Sequence, residues 1–160
     1  MAQRTPPGRT LGGVLTLLLA AALIAGCGGS DKEATFKKDF KRVNSELVTL
    51  GQDVGRAVNG ARGTTDAVLS RQFLGYAARL RAVKTRITDL DPPEKLKSKR
   101  AALSSAVDRL IADLQAIGTA AASHKPEAAR EAATALVQDS QPAADARRAL
   151  ARKTGAKPNP

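Results

Sequence analysis

The chain has 160 residues, room for one domain rather than two independent cores. Hydrophobic residues make up 42% of it, but 31 of them are alanine, and the aromatic side chains are Phe36, Phe40, Phe73 and Tyr76. One histidine, one cysteine and an initiator methionine exclude the ligand sets of haem, copper, iron–sulfur and structural zinc, and a single cysteine excludes a disulfide framework. No cofactor is expected. Lys and Arg number 26 against 15 Asp and Glu, a net charge of +11 that points to an anionic partner or surface. Four rings are too few for a stacking platform, so no nucleic acid is expected.

Met1–Thr10 carries Arg4 and Arg9 and no acid, Leu11–Ala25 is uncharged and mostly apolar, and Gly26-Cys27 follows. A basic head, a short apolar stretch and small residues at its end form a secretory signal. A transmembrane helix is the competing reading. The apolar run is short of the roughly 18–20 residues that cross a bilayer, and Gly12 and Gly13 weaken its start.

Leu23-Ile24-Ala25-Gly26-Cys27 resembles the lipobox of bacterial lipoproteins, a branched aliphatic, two small residues and an obligatory cysteine. The resemblance covers the leader alone. It implies a diacylglyceryl thioether on Cys27, cleavage between Gly26 and Cys27, and a mature chain anchored to the outer, extracytoplasmic face of the cell membrane. Two lipid chains make a stable anchor where one holds only reversibly. An unmodified thiol or a buried core cysteine are the alternatives; a lone thiol outside the cytoplasm is exposed to oxidation and mispairing.

The organisation expected is a signal peptide over 1–26, a lipidated cysteine and flexible linker over 27–30, a helical domain over 31–153 and a disordered tail over 154–160. Ser30-Asp31-Lys32-Glu33 has the pattern of a capping box opening a first helix. Phe36, Phe40, Val43, Leu47, Leu50, Val54 and Ala57 then alternate at spacings of 4 and 3, a heptad seam stopped by Asn59, Gly60 and Gly63. Thr64, Thr65 and Asp66 are plausible caps for a second helix with the same alternation, from Leu69 through Phe73, Tyr76, Leu80, Val83 and Ile87 to Leu90.

Asp91-Pro92-Pro93-Glu94 marks a boundary, with Asp91 as cap and Pro92 in the first turn of a third helix. That helix lines up Leu96, Leu103, Val107, Leu110, Leu114 and Ile117, with Gly118–Ser123 as small-residue helix or fraying end. Ala129, Ala133, Leu136 and Val137 are the expected inner face of a fourth helix, kinked or split at Pro142, which lacks the donor a helix interior needs. No segment shows the period of a strand. Short connections favour antiparallel neighbours, hence an all-α, up-down-up-down four-helix bundle. An extended coiled-coil hairpin pairing with a second copy is the alternative, because the seams are narrow.

That topology gathers charge. Residues 28–46, 79–103 and 145–160 hold 18 Lys and Arg against eight acids, all at the end tied to Cys27. Lys37, Lys38, Lys41, Arg42, Lys95, Lys97, Arg152 and Lys153 are the candidates for contact with anionic lipid or wall polymer, the competing reading being ordinary solvated helix faces.

No catalytic residue is assigned. His124, Glu127 and Glu131 share a spacing that a metal site uses, but a second histidine motif is missing and a turn histidine is the better reading, so no metal site is expected. Gly-x-Ser-x-Gly, Walker and dinucleotide motifs do not occur, and Ser104-Ser105 has no assignable base. Gly51, Gly55 and Gly75 each cost about 1 kcal/mol relative to alanine in a helix, explained by close helix packing or a small apolar groove beside them. The expectation is a non-enzymatic, lipid-anchored binding or envelope-organising bundle with an unknown protein partner. Its alternatives are a carrier of a small apolar or lipid ligand and an accessory subunit of a membrane complex.

Overall fold

The computed structural model describes residues 28–156, which form four α-helices and one 3-10 turn, with no strand among them. Helix α1 covers Gly28–Asn59, α2 Asp66–Asp89, α3 Lys97–Ala122 and α4 Pro126–Thr154, with a 3-10 turn at Glu94–Leu96 leading into α3. Met1–Gly26 and Cys27 lie outside the described residues, as do 157–160.

The helices close on one another in chain order, α1 on α2, α2 on α3, α3 on α4 and α4 back on α1, giving the antiparallel four-helix bundle. The seam residues converge as their spacing requires: Phe36, Phe40, Ile87, Leu103, Leu114 and Leu150 are almost wholly buried. Phe36 and Phe40 stack with centroids 6.0 Å apart, and Phe73 meets Tyr76 edge-on at 6.1 Å. Among the described residues the core set runs from Phe36 to Ala156, so these residues enclose an interior of their own.

The packing is uneven. Helices α2, α3 and α4 approach closely, whereas α1 stands further from both neighbours. Gly118 explains part of this: a Cβ built on it meets Leu74 Cγ at 2.7 Å and the Leu74 backbone nitrogen at 3.2 Å. It is the close-packing glycine between α2 and α3, inside a stretch the sequence reads as small-residue helix or a fraying end. Gly51, Gly55 and Gly75 have nothing within 4 Å of that position, so close packing does not account for them.

Several boundaries differ from the sequence-based expectation. Helix α1 begins at Gly28, so Ser30 is inside it rather than capping it, and residues 28–30 of the expected linker are helical. Asp91 does not cap α3; the two prolines delay the helix, and the Asp91 carboxylate instead meets Lys32 at 3.1 Å. Helix α4 runs unsplit through Pro142, which faces solvent, so the carbonyl left without an N–H donor can bond water. Thr154 and Ala156, assigned to a loose tail, are buried against the bundle. Val137 is 63% exposed and Ala129 half-buried; the inner face of α4 is Ala132, Leu136, Ala143 and Leu150. No helix among the described residues is long and apolar enough to cross a membrane.

Candidate functional site

The seam between α1 and α4 has two halves of opposite character. The upper half is an apolar cleft of about 340 Å³, large enough for a small ligand. Its α1 wall is Leu47, Gly51, Val54, Gly55 and Val58, its floor Leu110 and Leu114 of α3, and its α4 wall Leu136, Val137 and Ser140. No charged side chain lines it. Gly51 and Gly55 fall one turn apart on the flank of α1 that faces α4, and the open space beside both is the cleft. Leu47 and Val54, members of the heptad seam, are only partly buried because their neighbours there are glycines and space.

The lower half is polar and closed. Arg147 of α4 donates from Nη1 to Oδ1 of Asn44 on α1 at 3.0 Å. Asn44 is buried and lies one turn before Leu47, so the half-buried guanidinium stands about one turn beyond the Leu47 end of the cleft, outside its lining. Burial, and secondarily the positive charge of Arg148, lowers the pKa of Arg147, and among the described residues no carboxylate pairs with it. Arg148 next to it is held by Asp145 at 2.7 Å.

A second cleft of about 390 Å³ separates α1 from α2, but its character is different. Glu46, Arg79 and Arg86 line it, Arg86 pairs with Glu46, and Arg79 meets Asp53 at 3.0 Å. These ion pairs stitch the outside of α1 to α2 and leave a polar, solvated gap.

The eight basic candidates for an anionic surface do collect at one end of the bundle, the end at which Lys32 reaches Asp91 and Lys95 reaches Glu33 at 3.4 Å. Three are spoken for. Lys37 and Lys95 share Glu33 and hold its carboxyl below the usual range, Lys37 more strongly, and Lys97 pairs with Glu94 at 2.6 Å. Lys38, Lys41, Arg42, Arg152 and Lys153 are exposed and form no ion pair among the described residues. Arg147 is not among the eight, because nothing in its local sequence separates a half-buried arginine from its exposed neighbours.

His124, Glu127 and Glu131 do not form a cluster. His124 turns toward α2, with Nδ1 at 2.7 Å from Asp66, while Glu127 pairs with Arg130. No group of metal-ligating side chains occurs among the described residues. Ser104-Ser105 lies on α3 about 30 Å along the helix from His124, so the histidine cannot serve either as a base. Comparison with known protein families, curated proteins and solved structures returns no match.

Proposed function

We propose that this chain is a lipid-anchored, extracytoplasmic, non-enzymatic binding protein that holds a small apolar ligand between its helices. The observation that carries the reading is the uncharged cleft between α1 and α4, bordered by two glycines that cost the helix stability without bringing any neighbour closer. A bundle selected only for stability gains by placing alanine at both positions. The anchor rests on the leader, whose lipobox-like Leu23–Cys27 precedes a helix starting at the very next residue.

Two measurements test the two parts. Intact mass of the natural product shows added acyl chains on the fragment beginning at Cys27, lost in Cys27→Ala; a product released without detergent at its unmodified mass overturns the anchor. A neutral, environment-sensitive apolar dye binds the soluble bundle from residue 28 and is lost in Gly55→Leu, which fills the cleft. Equal dye binding by both proteins overturns the ligand site.

The exposed Lys38, Lys41, Arg42, Arg152 and Lys153 support an auxiliary contact of the anchored end with anionic headgroups when the bundle tilts down onto them. Each charge near such a surface contributes about 1 kcal/mol, fading within a Debye length of about 8 Å. Vesicle pelleting of the unlipidated bundle decides it, since equal binding to neutral and anionic vesicles ends the idea.

A further inference from the structure

The two halves of the α1–α4 seam, taken together, are amphiphilic. We infer that the ligand is a single-chain anionic amphiphile, its alkyl chain lying along the Leu47–Val58 flank of α1 and its carboxylate or phosphate head on Arg147. The inference rests on the binding reading above and specifies the ligand class.

Three features support it. The cleft runs along α1 over nearly three turns, about 16 Å from Leu47 to Val58, which suits an extended chain better than a compact body. Its lining offers no charge, so only an apolar segment enters without a desolvation cost. One turn beyond its Leu47 end stands a cation that gives one hydrogen bond to Asn44 and has no carboxylate partner among the described residues. A guanidinium carries five N–H donors in a planar fork that matches a carboxylate or phosphate, so Arg147 retains donors after its bond to Asn44. The surrounding field has the same sign: Lys41, exposed and without an ion pair among the described residues, lies one turn before Asn44 on α1. A cationic amphiphile meets repulsion there, and a neutral one leaves the guanidinium partly unpaired.

The test displaces a neutral apolar dye from the soluble bundle, residues 28–160, with dodecanoate, dodecyl phosphate, dodecanol and dodecyltrimethylammonium, all below their micellar concentrations. The two anions are expected to bind about tenfold more tightly than dodecanol, the scale of a charge-assisted hydrogen bond in a partly dry site, and the cation most weakly. A preference between the two anions supports the inference and identifies the head. Arg147→Gln is expected to remove the advantage of the anions while leaving dodecanol affinity unchanged, and Arg147→Lys to restore part of it. Equal affinity for dodecanol and both anions, or an Arg147→Gln variant that retains the anionic preference with native circular dichroism, overturns the inference and leaves the apolar site standing. Absence of dye binding in the wild type removes both.

Discussion

Asn44 and Arg147 lie 103 positions apart in the chain, and their side chains meet at 3.0 Å at the point where α1 begins to part from α4. A buried amide and a half-buried guanidinium satisfy each other there, which makes the pair asymmetric to mutation. Asn44→Ala leaves the guanidinium short of an acceptor and is expected to cost about 1–3 kcal/mol. Replacing both, Asn44→Leu with Arg147→Met, is expected to be nearly neutral. Urea unfolding of the singles and the double measures the difference, and a double mutant as unstable as Asn44→Ala contradicts the account.

The glycines divide into two kinds with opposite predictions. Gly51→Ala and Gly55→Ala put a methyl group into open space and relieve the helix, so each is expected to stabilise by up to about 1 kcal/mol, or about 4 °C in Tm. Gly118→Ala drives its methyl group to 2.7 Å from Leu74 Cγ and forces α2 from α3, so it is expected to destabilise. Thermal melts of the three variants check the split.

Asp113 lies between α3 and α4, its Oδ2 buried without a hydrogen-bond partner. Burial first, and the nearby Asp139 second, raise its carboxyl pKa above the ordinary value, partly offset by Arg109. The folded state therefore binds this proton more tightly than the unfolded chain. Its contribution is favourable below the ordinary carboxylate range and is lost as pH rises through the elevated value. Asp113→Asn is expected to be more stable than wild type at neutral pH, with the advantage shrinking as pH falls to 4 and below. Denaturation midpoints across that range test the sign.

His124 occupies the turn between α3 and α4 at φ 51°, a left-handed conformation that side chains disfavour. Its N–H bonds to Ala121 and that of Lys125 to Ala120, the pattern that usually places glycine at this point. The exposed pair with Asp66 offsets little of the strain. His124→Gly is expected to stabilise by up to about 1 kcal/mol, measured by urea unfolding at pH 8.

Much of the fold was legible in the sequence because helical periodicity reports burial directly. The 4 and 3 alternation of Phe36 to Ala57 and of Leu69 to Leu90 identifies α1 and α2 and the faces they bury, and the short turns enforce antiparallel order. Alanine carries less information: with so many in α4, the pattern finds Leu136 and Ala133 but points to Ala129 and Val137 where the structure buries Ala132 and Ala143. Pro142 reads as a kink or split because its missing donor is visible in sequence, while the solvent that satisfies the orphan carbonyl is not. For the site, the glycines of α1 are compatible with close packing or with an apolar groove, because Gly51 and Gly118 look alike in sequence. Only the position of α2 and α4 tells an open glycine from a crowded one.

The start of α1 at Gly28 leaves no slack between position 27 and the bundle. Twenty helical residues separate that position from Leu47, so the lower lip of the cleft stands about 30 Å up a stiff mast. With an acyl anchor at its foot, such a mast holds the mouth well above the lipid tails. On that proposal, and with α1 upright, the anchor chains would be out of reach of the cleft, and a ligand would arrive from the aqueous side.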